Sequence, residues 1–156
     1  MTLYLIGFGL GNEKSLSLHA LEVIKKCKAV YLENYTSKLD FKLNDLNKLI
    51  NKKVIVADRD LVEGKAEQTI LKDASKDNVA FLVPGDVFSA TTHIDLVLRA
   101  KELKINVKII NNASIITAIG ITGLSLYKFG AITSIPFDNK YIKSPASKGC
   151  KIISID

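Results

Sequence analysis

Val79-Ala80-Phe81-Leu82-Val83 is a run of five apolar residues closed by Pro84-Gly85-Asp86. A strand with one face in water alternates apolar and polar residues, so a run without alternation needs cover on both faces. Helices on either side of a parallel sheet supply such cover, and the remaining sequence provides them. Leu3-Tyr4-Leu5-Ile6 leads into Gly7-Phe8-Gly9-Leu10-Gly11, and Leu16, Ala20, Leu21 and Ile24 then recur at helical spacing up to Lys25, Lys26 and Lys28. That pattern predicts strand, glycine turn and helix. Ala29 to Leu32 and Val54 to Ala57 predict two more strands, with a helix through Phe41, Leu43, Leu46, Leu49 and Ile50 between them. Leu61, Val62, Ala66, Ile70, Leu71 and Ala74 suit a helix from Asp60 onward. A further helix runs through Ile94, Leu96, Val97, Leu98, Ala100 and Leu103, with Thr91 or Thr92 as its N-cap. The strand Val107 to Ile110 and the segment Ser114 to Ile119 continue the alternation. The fold class implied is α/β: an open, mainly parallel sheet with helices on both faces. In such sheets the loops that follow the strands share one edge, where ligands bind.

The 156 residues, 47% of them hydrophobic, suffice for one substantial core. No apolar run approaches the roughly 20 residues a bilayer-spanning helix needs, and Leu3 to Ile6 is too short for a signal-peptide core, so a cytoplasmic protein without membrane association is expected. Cys27 and Cys150 belong to no CxxC or Cys/His cluster and read as free thiols. The net charge of +6 is spread over scattered lysines, and aromatics make up only 7%, so no stacking platform for nucleic acid is indicated. His19 and His93 lie far apart without a third ligand at metal spacing, which favours surface or hydrogen-bonded histidines and no metal.

Three loops are candidates for a ligand site. Gly7 to Gly11 permits a sharp turn and close approach of backbone to ligand. It departs from the dinucleotide pattern GxGxxG at Asn12, although Glu33 near the end of the second strand could imitate the acid that binds a ribose. Asp86 follows the buried strand at the ligand edge and could accept hydrogen bonds from a ribose or an ammonium group, or equally close an Asx turn. Asn112-Ala113-Ser114-Ile115 follows the next strand, where Asn112 or Ser114 could instead simply cap a helix. The Walker lysine, GxSxG and HExxH motifs are all missing, which removes common phosphate, acyl-transfer and zinc-hydrolase chemistries.

Together, residues 3–11, Tyr31-Leu32-Glu33-Asn34-Tyr35-Thr36-Ser37, residues 80–86, Ser89-Ala90-Thr91-Thr92-His93, Asn112-Ala113-Ser114-Ile115 and Gly120-Ile121-Thr122-Gly123-Leu124 closely resemble the diphthine synthase family in order and spacing, as far as about Pro136. This family is similar in fold to the tetrapyrrole methylases, with two α/β domains and S-adenosylmethionine in the cleft between them. The resemblance implies that Leu10, Asp86, Ser89, Ser114 and Ile115 contact this cofactor, with S-adenosylhomocysteine as product. It also implies a homodimer whose protein substrate is elongation factor two, methylated on the amino group, and in eukaryotic members also the carboxylate, built on a modified histidine. No catalytic base is identified.

Two departures accompany the resemblance. Val87 stands where the family usually has proline, which is expected to loosen the loop without removing Asp86. The second concerns length: residues 1–137 read as the cofactor-binding domain and residues 138–156 as its last loop and strand or a linker, with the family's second domain absent. Gly149 to Asp156 resembles that last strand. Two other functions stay open at this point, a nicotinamide-dependent oxidoreductase and a non-catalytic cofactor-binding or dimerising fragment.

Overall fold

A computed structural model of the chain describes residues 1–37, 41–89 and 91–130. The expected loop and strand of residues 138–156, and Cys150, lie outside the described residues. The strands are β1 (Thr2–Gly7), β2 (Ala29–Glu33), β3 (Ile55–Ala57), β4 (Val79–Val83) and β5 (Asn106–Ile110). They form one sheet in the order β3-β2-β4-β1-β5, and every pairing is parallel. The helices are α1 (Leu18–Lys26), α2 (Leu43–Ile50), α3 (Ile70–Lys76), α4 (Ile94–Glu102) and the short α5 (Ile115–Ala118).

The apolar run is β4, the central strand with two strands on either side, and all five of its residues are fully buried. Their side chains divide between two cores. Val79, Phe81 and Val83 join Leu3 and Leu5 beneath α3 and α4, whereas Ala80 and Leu82 join Ile6, Val30 and Leu32 beneath α1 and α2. This is the period-2 alternation of a strand with both faces covered. Each fully buried Phe, Leu or Val contributes about 1.5 to 3 kcal/mol of transfer free energy, which makes this strand the anchor of the molecule.

The ends of α1 follow local chemistry. Ser17 Oγ accepts from the Ala20 amide at 3.1 Å, capping the first turn, and Lys25 and Lys26 complement the dipole in the last. Two local expectations fail. The pattern from Asp60 to Ala74 is broken into a π-helical turn at Asp60–Gly64, a 3-10 turn at Ala66–Gln68 and α3, with Gly64 at the first break. Glycine is about 1 kcal/mol less favourable than alanine inside a helix, so an apolar period alone does not carry the helix across it. Neither threonine caps α4 with its side chain. Thr91 Oγ1 donates to the Val87 carbonyl at 2.6 Å, and His93 occupies the cap position without a side-chain cap bond.

Candidate cofactor cleft

β1 lies beside β4, yet the connection from β1 crosses to β2 and the connection from β4 crosses back to β5. Loops that leave neighbouring strands in opposite directions open a crevice at their carboxyl ends, the usual ligand position in such sheets. The crevice is present here as a cleft of about 390 Å³, within the range of small-molecule sites.

Its floor is backbone. The Gly9 amide donates to the Gly85 carbonyl at 2.9 Å and the Gly85 amide donates back to the Gly9 carbonyl at 3.0 Å, tying the two loops together. Both glycines have positive φ, 82° at Gly9 and 72° at Gly85, a region that L side chains rarely adopt. Gly7 is restricted by space instead: a Cβ there would stand 2.8 Å from the Gly85 carbonyl oxygen and 2.9 Å from Asn112 Cβ.

Asn112 and Asp86 brace the loops from behind. Asn112 Nδ2 donates to the Gly7 carbonyl at 3.1 Å and to the Ser15 carbonyl at 3.0 Å. Its own amide donates to Asp86 Oδ2 at 3.1 Å. Asp86 Oδ1 accepts from the Phe88 amide at 3.1 Å and from Ser89 Oγ at 3.3 Å. The Asx-turn geometry and the ligand-edge position are therefore properties of the same carboxylate, which still has lone-pair capacity for a ligand donor. Val87 is fully buried in the core beneath α3 and α4 and ties this loop to it.

The structure gathers all five residues singled out in the sequence around the cleft: Leu10, Asp86, Ser89, Ser114 and Ile115 line it together with Thr36, Ser37 and Thr91. Leu10 and Ile115 expose apolar surface, at 40% and 59%. Ser114 is 5% exposed, and although it precedes α5 its side chain makes no capping bond. The sequence reading passed over Thr36, Ser37 and Thr91 as lining residues and Asn112 as a brace. For Asn112 a signal existed: a polar amide directly beyond an apolar strand, level with the glycine loop, has strand-end carbonyls within reach.

Glu33 is not offered to a ligand. It is fully buried, and its carboxylate accepts from the Tyr35 amide at 2.6 Å, the Thr36 amide at 2.6 Å and the Thr36 hydroxyl. This internal use removes the residue on which the nicotinamide reading rested. Among the described residues no group of three His, Cys, Asp or Glu could hold a metal ion, and no helix is long and apolar enough to cross a membrane. His19 is exposed, while His93 is buried with Nε2 3.4 Å from Tyr35 Oη. Burial holds the His93 imidazole below its ordinary value of 6.5, against the opposing pull of the Glu33 and Glu63 charges.

Comparison with known proteins gives the cleft its setting. The chain is 54% identical over 139 residues to diphthine methyl ester synthase of Schizosaccharomyces pombe, covering 88% of this chain and 49% of that protein. It is 53% identical over 135 residues to diphthine methyl ester synthase of Homo sapiens, covering 86% of this chain and 47% of that protein. The chain thus spans about half the length of the curated relatives it matches. A crystal structure of diphthine synthase superposes with a TM-score of 0.80 at 36% identity, over 83% of this chain and 52% of that one. The family described as tetrapyrrole (corrin/porphyrin) methylases matches residues 2–147, nearly the whole chain. A parallel sheet with its loops gathered at a switch-point crevice, and sequence similarity that runs through those same loops, have one common explanation: this chain belongs to the tetrapyrrole methylase family.

Proposed function

We propose that this chain forms the S-adenosylmethionine-binding half of a diphthine synthase, a methyltransferase that acts on the modified histidine of elongation factor two in the cytoplasm. The observation that carries the proposal is the convergence of Leu10, Asp86, Ser89, Ser114 and Ile115 on one cleft floored by backbone. The fit to an adenosyl ligand is chemical. Leu10 and Ile115 offer apolar surface for a purine, and Asp86, Ser89 and Ser114 offer acceptors and hydroxyls for a ribose or an amino acid moiety. Gly9 and Gly85 leave room for the ligand to approach the main chain.

The bound cofactor supplies an electrophilic methyl group on a sulfonium. Transfer to an amine forms the carbon–nitrogen bond as the carbon–sulfur bond breaks, leaving a neutral thioether, so the protein need not stabilise a new anion. Its task is orientation. Asp86 serves this by locking the loop after β4 to the loop after β5, and Asn112 by locking both to the glycine loop. Residues 1–137 are the cofactor-binding domain in this account, with residues 138–156 as its last loop and strand or a linker. A second α/β domain of the enzyme closes the cleft and carries part of the substrate site. Exposed apolar residues after β5, among them Ile121, Leu124 and Tyr127, support a protein-covered surface there, contributed by that domain or by the second copy in a homodimer.

Isothermal titration with S-adenosylhomocysteine tests the assignment. Saturable binding that weakens in Ile115→Asp, an exposed position where a carboxylate leaves the fold intact, is the expected result. Binding of NADH in place of S-adenosylhomocysteine would contradict it.

A further inference from the structure

A second hollow, of about 250 Å³, lies beside the cofactor cleft and is lined by Tyr35, Val62, Glu63, Thr92, His93 and Asp95 among others. The partition between the two consists of the loops after β2 and β4. Thr36 and Thr91 face the cleft, while their neighbours Tyr35 and Thr92–His93 face the hollow. The buried Glu33 carboxylate sets one side of this partition, because its bonds to the Tyr35 and Thr36 amides fix the turn that sends the two side chains to opposite sides. The sides meet where Tyr35 Oη stands 3.4 Å from His93 Nε2, with the His93 ring set edge-on to Phe81 at 5.4 Å between centroids.

His93 is 1% exposed, and its Nδ1 has no hydrogen-bond partner among the described residues. An apolar side chain would fill the space between Phe81 and Tyr35 without leaving a ring nitrogen unmatched. The imidazole can bond the phenol of the opposite loop, which an apolar group cannot.

We propose that Tyr35 and His93 are positioning residues: their contact sets the spacing between the two loops that wall the cofactor cleft, and so the grip on the adenosyl ligand. The inference rests on the assignment of that cleft under the proposed function. Neither side chain lines the cleft, so both act through their neighbours Thr36 and Thr91. The contact depends on protonation. Burial pushes the Tyr35 phenol up to about 12, so it remains a phenol at neutral pH and pairs with a neutral imidazole. Glu33 and Tyr35 face the ring from the β2 side, Glu63 from the turn after β3 and Asp95 from the start of α4, with Arg59 over the Tyr35 ring at 5.3 Å. An imidazolium there turns Nε2 into an obligatory donor and places a charge in the partition, which loosens the contact as pH falls below the imidazole's ordinary range.

The test compares the chain with its Tyr35→Phe and His93→Gln variants by titration with S-adenosylhomocysteine across pH and by amide exchange. Loss of this long hydrogen bond in Tyr35→Phe is expected to weaken binding about threefold and to lower the thermal midpoint by no more than about 4 °C. Exchange is expected to quicken in that variant at the Thr36 and Phe88 amides, one in each wall. In His93→Gln, which keeps a polar partner but cannot titrate, the fall in affinity at acid pH disappears. Unchanged affinity and exchange in Tyr35→Phe would overturn the proposal, as would an acid loss of affinity that persists in His93→Gln. Should the unaltered chain fail to bind S-adenosylhomocysteine, the functional assignment fails and the exchange comparison alone decides: faster exchange in both walls upholds the positioning contact, and unchanged exchange refutes it.

Discussion

Replacing Asp86 by alanine removes the acceptor of three hydrogen bonds, from the Phe88 amide, Ser89 Oγ and the Asn112 amide. The first two are local, and water can replace the carboxylate at the exposed Phe88 amide. The third joins residues 26 apart in sequence and is partly buried, so it dominates the cost. A hydrogen bond to a charged group is worth about 1.5 to 3 kcal/mol, and partial exposure of the local pair limits the total for Asp86→Ala to about 2 to 3 kcal/mol. Asp86→Asn keeps one oxygen for the Phe88 and Ser89 donors but turns an NH2 toward the Asn112 amide. It should cost about 1 to 2 kcal/mol, less than alanine. For a domain of this size, thermal unfolding followed by circular dichroism should then show a midpoint lower by about 4 to 12 °C in Asp86→Ala and by about half as much in Asp86→Asn. An unchanged midpoint in Asp86→Ala, or a larger loss in Asp86→Asn than in Asp86→Ala, would refute the assignment of Asp86 as the brace between the two loops.

Three further outcomes are expected. Gly7→Ala forces a Cβ to within 2.8 Å of the Gly85 carbonyl oxygen and should cost about 1 to 3 kcal/mol in urea unfolding, as overpacked sites do. His93 is held below 6.5 in the folded chain, so between that lowered value and 6.5 the unfolded state binds more protons and stability rises with pH; the urea midpoint should climb across this window and climb less in His93→Gln. The Cys27 thiol is buried and pushed up to about 11 by that burial, so a Cys150→Ser chain should react with a thiol reagent at about pH 8 only after denaturant unfolds it.

The sheet was legible because β4 carries an unbroken apolar run, and a run of that kind admits few environments. The glycine loop was legible as a turn, and the structure adds why glycine suits two positions of the cleft floor: Gly7 has no room for a Cβ, and Gly85 has positive φ. What escaped the sequence were long-range polar contacts. Asn112 looked like a helix cap, yet its side chain reaches the Gly7 carbonyl 105 residues away in sequence, a contact that only the β1–β5 pairing creates. Glu33 looked like a ribose-binding acid because its position at the strand end is right; its burial and its bonds to the next turn follow from the path of the loop, which composition does not encode. Thr91 was a plausible cap until the Val87 carbonyl claimed its hydroxyl, a competition between local partners that residue preference leaves undecided. The five residues proposed to meet the cofactor came from resemblance to a family, and the fold accounts for their meeting at one crevice: they lie in the segments that directly follow β1, β4 and β5, three adjacent strands of the sheet.

The central claim is that this crevice holds an S-adenosyl ligand. Titration of the 15N-labelled chain with S-adenosylhomocysteine, followed by amide resonances, addresses it directly. The account predicts saturable shifts concentrated at Gly9, Leu10, Asp86, Ser89, Ser114 and Ile115, with the amides of β3 and of the lysine-rich end of α1 unmoved. Shifts that gather elsewhere on the chain, or an unperturbed spectrum from a folded chain, would contradict it.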